Sequence, residues 1–336
     1  MKTMHFAGTP GTGYGWGVFN ANMYRELDKH FVMVTSNHDP VDVCVMPVDG
    51  AFRPLTPARG KINVCMNFFE SPLEPDAREN AAQFDVCFVG STWCQQRCAE
   101  AGILNTRVLI QGVDGDIFKP QPPREPDGTI RIFSGGKFEY RKGQDLVIAA
   151  FREFVKVHPE AHLVCAWFNP WPALFKTMAH TKVISPLAHG ATQPEFFRSL
   201  LRNNGLADSQ FTILPQLSHA DLAREMARTD FGLFPNRCEG GNNLVLQEYL
   251  SCERQAAANA LTGHFDLNAG LAWKDHHHFT FRKIPAKYDS SHWAEQRVYD
   301  IAETMAKIHA DKDFSRECHP RWTWEAAART VLDALS

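Results

Sequence analysis

The feature that most constrains the fold is a repeated alternation of strand-like and helix-like runs, which one proline-rich segment interrupts. In the first third, helical patterns at 18–28 and 92–101 lie among short apolar runs. Those runs are predicted strands at 5–7, 31–35, 41–47, 61–66, 86–89 and 106–110. Strands that alternate with helices favour an α/β fold with a doubly wound parallel sheet.

A second alternating block follows the proline-rich segment at 118–128, whose composition is typical of a linker. Helices are predicted at 143–158, at 218–228 after a serine cap, and from Leu244. The predicted strands are 130–134, 162–166, 210–214, 230–235 and 255–258. Two Rossmann-like halves are therefore predicted, with domains at 1–120 and 130–318, a linker at 121–129, and a terminal helix at 319–336.

Composition and charge exclude several classes of protein. The chain has 336 residues, 44% of them hydrophobic and 22% charged. Its net charge of −3 gives no electrostatic argument for binding to nucleic acid or to an anionic membrane. No apolar run approaches the ~20 residues of a transmembrane segment. The glycine loop that begins near residue 8 comes too early for a signal peptide, and nine cysteines without paired spacing suit reduced thiols. A cytoplasmic localisation is expected.

The most informative local segment runs from Arg237 to Glu248. It follows the apolar run at 231–235, contains two glycines and two asparagines, and leads into a helical pattern. Glycine and asparagine suit turns with unusual backbone angles. The first amides of the following helix can then face an anion. The carboxylates of Glu239 and Glu248 bracket the turn and can accept hydrogen bonds from hydroxyls, so a diphosphate flanked by polyols is predicted here; an ordinary polar loop is the alternative.

A second cluster follows the first strand of the second block. Gly135 and Gly136 precede Lys137, Arg141 and Lys142, and a helical pattern starts at Gly143. Two cations on a strand-to-helix connection can neutralise a leaving diphosphate. A solvated basic turn is the alternative interpretation.

Together these segments resemble the retaining glycosyltransferases of GT-B fold, the group that includes glycogen and sucrose synthases. The turn is similar to their Glu-Gly-Phe-Gly-Leu-x-x-x-Glu motif and, more closely, to variants that read Glu-Gly-Gly-Thr-Asn-Leu-Val. Eight residues lie between Glu239 and Glu248, one more than in the motif. The basic segment resembles their Gly-Arg-Leu-x-x-x-Lys-Gly-x-Asp signature. The family's arginine falls on Lys137, which loses a bidentate fork, and its lysine falls on Lys142.

Other parts of the chain match the family in the same order. The segment from Gln111 to Pro120 is similar to the end of the family's first domain, and Trp322-Thr323-Trp324-Glu325 is similar to the start of its terminal helix. The resemblance implies two Rossmann-like domains facing across a cleft, with a C-terminal helix that crosses back onto the first domain.

The resemblance also implies roles for individual residues. Lys137 and Lys142 would stabilise the diphosphate, Glu239 would hold sugar hydroxyls, and Glu248 would hold the ribose diol. Glu70, after a predicted strand, would contact the acceptor, although a helix-capping or salt-bridged carboxylate is an equal alternative. The remaining donor-binding candidates lie at or next to the predicted starts of two helices: Gly15, Gly17, Gly240, Gly241, Asn242, Asn243 and Leu244. For each single glycine a structural turn is the alternative.

No metal site is expected. The pair Asp114 and Asp116 matches a metal-binding pattern of another glycosyltransferase fold, but it lies at the exit of the first predicted domain. The three consecutive histidines from His276 to His278 cannot all face one ion on a regular element, because adjacent side chains diverge.

The sequence thus predicts a metal-independent retaining glycosyltransferase that uses a nucleoside diphosphate sugar such as a UDP-sugar, with no cofactor besides this donor. A nucleotide-sugar-binding protein, an epimerase and a phosphorylase-like enzyme remain alternatives. The acceptor stays open among glycans, lipid-linked sugars, small molecules, proteins and modified nucleic acid bases, and so does the oligomeric state.

Overall fold

The structure, a computed structural model, describes residues 1–11, 13–35, 41–122, 124–269, 281–311 and 322–336. The histidines from His276 to His278 lie outside the described residues. So do residue 123 of the predicted linker and the start, at 319–321, of the predicted terminal segment. The chain forms two compact units. Unit 1 comprises Met1–Val113, Glu239–Leu244 and Arg321–Ser336, and unit 2 comprises Asp114–Cys238 and Val245–Pro320.

Unit 1 contains a six-stranded sheet in which the described strands are parallel. Its strands are β1 (Thr3–Phe6), β2 (Val32–Met33), β3 (Val41–Pro47), β4 (Gly60–Asn67), β5 (Val86–Val89) and β6 (Thr106–Val108). Its first helices are α1 (Gly15–Leu27), α2 (Ala77–Ala81) and α3 (Thr92–Glu100). The strand order is β2-β1-β3-β4-β5-β6. Strand β3 is buried along nearly its whole length, as expected for a parallel strand covered on both faces.

Unit 2 contains a second six-stranded parallel sheet, in the order β12-β11-β10-β7-β8-β9. Its strands are β7 (Ile130–Lys137), β8 (Ala161–Phe168), β9 (Phe211–Ile213), β10 (Phe231–Phe234), β11 (Gln255–Ala258) and β12 (Arg282–Lys283). A small antiparallel pair consists of β13 (Lys287–Tyr288) and β14 (Ala294–Glu295). Short 3-10 helices span Tyr140–Lys142, Pro172–His180 and Asp208–Gln210.

Six α-helices complete unit 2. They are α4 (Gln144–Val155), α5 (Gln193–Asn203), α6 (His219–Ala227), α7 (Leu244–Ser251), α8 (His264–Ala269) and α9 (Val298–Ala310), of which α7 has its first residue in unit 1. Helix α4 buries Phe151 and Phe154 in a core shared with strand residues such as Leu163 and Phe231.

The C-terminal helix α10 (Trp324–Leu335) belongs to unit 1 and packs against α1. Phe19 and Met23 of α1 meet Trp324 and Val331 of α10 in the core of this unit. A side chain at Gly112 would lie 2.3 Å from the backbone nitrogen of Trp324, so only glycine permits this approach. The return of the C-terminal helix to the first unit, as predicted, is confirmed.

The predicted fold class is confirmed, since both units are parallel α/β sheets with the expected strands. Several elements were not predicted, among them α5, α9 and the β13–β14 pair. Helix α5 carries a readable signal: Thr192 and Glu195 form a capping box at its start. Helix α1 begins at Gly15, three residues before the predicted Val18, so Gly15 and Gly17 lie in its first turn rather than in the preceding loop.

Candidate functional site

The connection between β10 and α7 is buried along its whole length, from Pro235 to Asn243. Its one left-handed residue is Asn243, with a φ of 64°, directly before α7 begins at Leu244. Asparagine tolerates this conformation better than most side chains. The unusual backbone angle that the sequence predicts therefore falls on an asparagine, and Gly240 and Gly241 serve another purpose.

Those glycines allow the connection to lie directly against other backbone of unit 1. A side chain at Gly240 would come within 2.3 Å of the Phe69 carbonyl oxygen. The Gly240 carbonyl oxygen accepts hydrogen bonds from Ser91 Oγ at 2.9 Å and Cys94 Sγ at 3.0 Å. A side chain at Gly90 would lie 2.7 Å from the same carbonyl oxygen. Glycine at positions 90 and 240 thus permits the turn to pack against this backbone.

Polar groups within the turn have few protein partners. In the described loops, the backbone amides of Gly240, Gly241 and Asn242 donate no hydrogen bond to another backbone group. The Asn242 side chain is fully buried, and neither its Nδ2 nor its Oδ1 has a partner among the described residues. A buried amide without partners costs roughly 1–3 kcal/mol, and such a group in a native fold points to a ligand or an ordered water.

On the unit 2 side, a buried ion pair holds the start of the connection. Arg237 Nη1 and Nη2 each donate at 2.8 Å to one carboxylate oxygen of Asp145, which is fully buried in the first turn of α4. The same guanidinium donates to the Tyr140 carbonyl at 2.7 Å and lies 3.7 Å from the centroid of the Tyr140 ring. This bidentate geometry is the strong form of an arginine–carboxylate pair. It fixes where the chain enters the turn.

The basic segment begins with the last residue of β7. One of its cations is mostly buried, and two are partly accessible to solvent. Arg141 is mostly buried, donates to the Cys238 carbonyl at 2.7 Å and pairs with Glu139 at 2.5 Å. Lys137 is the last residue of β7, is 30% exposed, and lies 3.4 Å from Glu139 and 5.2 Å from the Trp171 ring centroid. Lys142 ends a 3-10 helix and is half-buried. Arg141 therefore stabilises the connection through buried contacts, whereas the side chains of Lys137 and Lys142 remain partly accessible to solvent.

Gly143 connects the basic segment to the same turn. Its φ is 75°, in the left-handed region, and a side chain there would lie 2.3 Å from the Pro235 carbonyl oxygen. Both constraints require glycine. The glycine of the predicted lysine–glycine signature thus has a local structural reason.

Glu248 lies in the second turn of α7 and is buried. Burial raises the pKa of its carboxyl from 4.5 to about 8, because desolvation disfavours the charged form. Within the described chain no hydrogen bond or ion pair reaches this carboxylate. Glu248 is therefore a carboxyl group whose ionised form only an added donor would stabilise.

The remaining candidates lie in unit 1. Glu70 follows β4 by three residues, is half-buried, and lies near enough to Cys94 to affect its pKa. Gly15 faces Leu244, whose Cδ1 would be 3.9 Å from a side chain at that position. Gly17 packs on Gly11, and its carbonyl accepts the Gly11 amide at 3.0 Å. Packing alone accounts for glycine at position 17.

The turn from Glu239 to Leu244 and Gly15 belong to unit 1, and Lys137, Lys142 and Glu248 belong to unit 2. Five residues that support the turn were not predicted from the sequence: Gly90, Ser91, Cys94, Asp145 and Arg237. Ser91 had a local signal, because a serine directly before the helical pattern at 92–101 is a typical N-cap, and its side chain accepts the Cys94 amide. Arg237 and Asp145 had none, since their pairing spans 92 positions.

Asp114 and Asp116 form a local turn: Asp114 Oδ1 accepts the Asp116 amide at 3.1 Å. The eight described cysteines are buried, free thiols. No helix in the described ranges is long and apolar enough to cross a membrane.

This fold, two parallel six-stranded α/β sheets with the C-terminal helix returned to the first unit, is the GT-B fold of glycosyltransferases. Sucrose-phosphate synthase from Thermosynechococcus elongatus is similar over 99% of this chain and 98% of its own, with a TM-score of 0.67 and 13% identity.

Two further structures resemble the chain throughout. Anabaena HepE in complex with UDP aligns over 100% of this chain and 99% of its own, with a TM-score of 0.60 and 13% identity. The catalytic domain of starch synthase IV from Arabidopsis thaliana, bound to ADP and acarbose, aligns over 94% and 75%, with a TM-score of 0.56 and 12% identity. No family model and no curated protein sequence matches the chain.

Proposed function

We propose that this protein is a retaining glycosyltransferase that moves a sugar from a nucleoside diphosphate sugar to an acceptor hydroxyl. The observation that carries the proposal is the buried turn from Glu239 to Asn243. In the described loops the backbone amides of Gly240, Gly241 and Asn242 donate to no backbone group, and the Asn242 side chain has no partner among the described residues. The place of the turn between β10 and the start of α7 suits an anion, because helix N-termini favour negative charge. The GT-B fold, shared with proteins solved in complex with UDP and ADP, supports a diphosphate as that anion.

The chemistry follows from these groups. The bond between the anomeric carbon and the diphosphate oxygen breaks, and the departing charge is stabilised by the turn amides with Lys137 and Lys142. The acceptor oxygen forms the new bond on the same face of the sugar, and its proton passes to a phosphate oxygen. Protein cations and amides provide the neutralising charge in this scheme, which therefore includes no metal ion and no cofactor besides the donor.

The carboxylates divide the remaining contacts. Glu239 enters the turn from the strand side and is proposed to accept hydrogen bonds from the hydroxyls of the transferred sugar. Glu248, beyond the amides on α7, is proposed to accept the ribose diol, whose two donors would compensate the desolvation that raises its pKa. Glu70, near Cys94 in unit 1, is proposed as an acceptor contact.

The test is incubation of the purified protein with a panel of labelled nucleoside diphosphate sugars without acceptor. A glycosyltransferase slowly hydrolyses its own donor and releases free sugar of the donor's anomeric configuration. An epimerase would instead convert the donor without releasing nucleoside diphosphate. Binding by calorimetry with no turnover for any donor would contradict the enzymatic proposal and favour a nucleotide-sugar-binding protein.

A further inference from the structure

A cluster of metal-ligating side chains lies in unit 2 near the amino-terminal end of β8, whereas the basic segment lies at the carboxyl-terminal end of the neighbouring parallel strand β7. It consists of His158, after the end of α4, Glu160, directly before β8, and His309, in the last turn of α9. Ligand atoms of the three residues all lie within 4.8 Å of one another. Lys137, by contrast, ends β7, so the cluster takes no part in the site proposed above.

The distances are close to those of a metal site. A zinc ion with bonds of about 2 Å to each ligand needs ligand atoms roughly 3–3.5 Å apart. His158 Nδ1 already lies 3.5 Å from Glu160 Oε1. The imidazoles of His158 and His309 have centroids 4.9 Å apart. Glu160 is exposed and can close the remaining separation by rotating its side chain.

The two imidazoles are held in place by one buried ring. Phe154 stacks on His158 with centroids 4.4 Å apart and meets His309 edge to face at 6.4 Å. Phe154 itself is 3% exposed and belongs to the core of unit 2. Ligands fixed by such packing lose less conformational entropy on binding than mobile surface histidines.

The local field also favours a cation. Helix α4 ends at Val155 and α9 ends at Ala310, so two helix C-termini are adjacent to the cluster. Each C-terminus carries a partial negative charge from its unpaired carbonyl groups. The carboxylate of Glu160 adds a full negative charge when ionised. Geometry and charge therefore agree on a positively charged ligand.

We propose that His158, Glu160 and His309 bind one transition-metal ion, zinc in the first instance, which ties the end of α4 to the end of α9. Two imidazoles and one carboxylate are ligands that zinc accepts, and three protein ligands leave room for water. Because α4 and α9 pack side by side, the ion links elements that are already neighbours and stabilises unit 2.

Zinc titration of the metal-stripped full-length protein tests this site. Calorimetry should show that the double variant His158→Ala/His309→Ala binds one equivalent fewer than the wild type. Comparing the two proteins subtracts any zinc bound by His276 to His278. The variant His189→Ala, which removes an exposed histidine of the same unit, should keep the wild-type stoichiometry.

The conservative variant Glu160→Gln guards against a folding defect, because this side chain is exposed. It should weaken the same binding event by about tenfold or more, since the charged ligand is lost. Zinc should raise the unfolding temperature of the wild type but not that of the double variant. Equal stoichiometry in wild type and double variant, or unchanged affinity in Glu160→Gln, would overturn the proposal.

Discussion

Two buried acidic residues, Asp145 and Glu248, occupy comparable positions in the fold but differ in their hydrogen-bond partners. Each lies near the start of a helix that follows a strand of the second sheet: α4 after β7 and α7 after β10. Asp145 is fully buried, and its carboxylate accepts hydrogen bonds from Arg237 Nη1 and Nη2 at 2.8 Å. Glu248 is also buried, and the described chain supplies no donor for it; its pKa rises to about 8.

The difference separates a carboxylate that supports the backbone of the turn from one that we propose as a ligand contact. A buried carboxylate with a complete partner stabilises one backbone arrangement, here the entry into the turn at Arg237. A buried carboxylate without a partner costs stability until a ligand supplies hydrogen-bond donors. Stability measurements should therefore respond to Asp145 and Arg237, and ligand-binding measurements should respond to Glu248.

The largest expected effect is on the paired group. Arg237→Ala removes the cation from the buried Asp145 carboxylate, which keeps a hydrogen bond from Thr181 Oγ1 at 2.8 Å. It should lower the free energy of unfolding by about 3–5 kcal/mol. Urea denaturation measures this loss. The control is Arg228→Ala, an exposed arginine 3.8 Å from Glu225, which should change stability by less than about 1 kcal/mol. Similar small losses for both variants would show that the ion pair does not hold the turn.

The pH dependence of stability tests the second buried acid, Glu248. Because the folded pKa of Glu248 is raised from 4.5 to about 8, the folded protein keeps a proton that the unfolded chain releases. This contribution to stability is fully present below pH 4.5 and is lost as the pH rises through 8. The variant Glu248→Gln should remove that slope and be more stable than the wild type at pH 8. Parallel stability curves for the two proteins would contradict the assignment.

Lys142→Ala tests the accessible cations. Loss of this charge should remove about 2–4 kcal/mol of transition-state stabilisation, the scale of one electrostatic donor, with a smaller loss of donor affinity. Turnover of the donor and calorimetric binding are measured on the same preparation, with Lys176→Ala, an exposed lysine of the same unit, as the control. Wild-type transfer by Lys142→Ala would eliminate this residue from the diphosphate site.

A smaller and more selective effect separates the two proposed carboxylate contacts. Glu248→Ala should weaken binding of both donor and free nucleoside diphosphate by about 1–2 kcal/mol, since the ribose is common to both. Glu239→Ala should reduce transfer and leave binding of the free nucleoside diphosphate nearly unchanged. Calorimetry with the free nucleoside diphosphate decides, and equal losses for both variants would remove the division of roles.

Chelation should have the smallest effect on catalysis. Treatment with EDTA should leave sugar transfer intact, because the proposed mechanism uses side-chain cations and helix amides to neutralise the diphosphate. A zinc ion at His158, Glu160 and His309 would be lost, so the unfolding temperature should fall slightly while activity stays. Loss of activity restored by manganese or magnesium would return Asp114 and Asp116 to consideration as a metal pair.

Much of the fold could be predicted from the sequence, because the signals are local. Apolar runs such as Val41–Pro47 and Phe231–Phe234 are long enough to identify buried strands, and the spacing of Phe19, Met23 and Leu27 identifies one face of a helix. Short elements lacked such signals. Strands of two residues such as β12 and β13 are set by tertiary contacts and leave no periodicity to read.

The sequence by itself determined the alternation of the two sheets, the glycine- and asparagine-rich turn between two carboxylates, and the basic segment ahead of α4. Only the tertiary structure decided which residues support that turn and which remain for a ligand. Ser91 reaches Gly240 across 149 positions and Arg237 reaches Asp145 across 92, distances at which local periodicity carries no information. Burial determined the acidity of the Glu248 carboxyl group. A carboxyl group on the surface is an ordinary acid, whereas the buried carboxyl of Glu248 has a raised pKa.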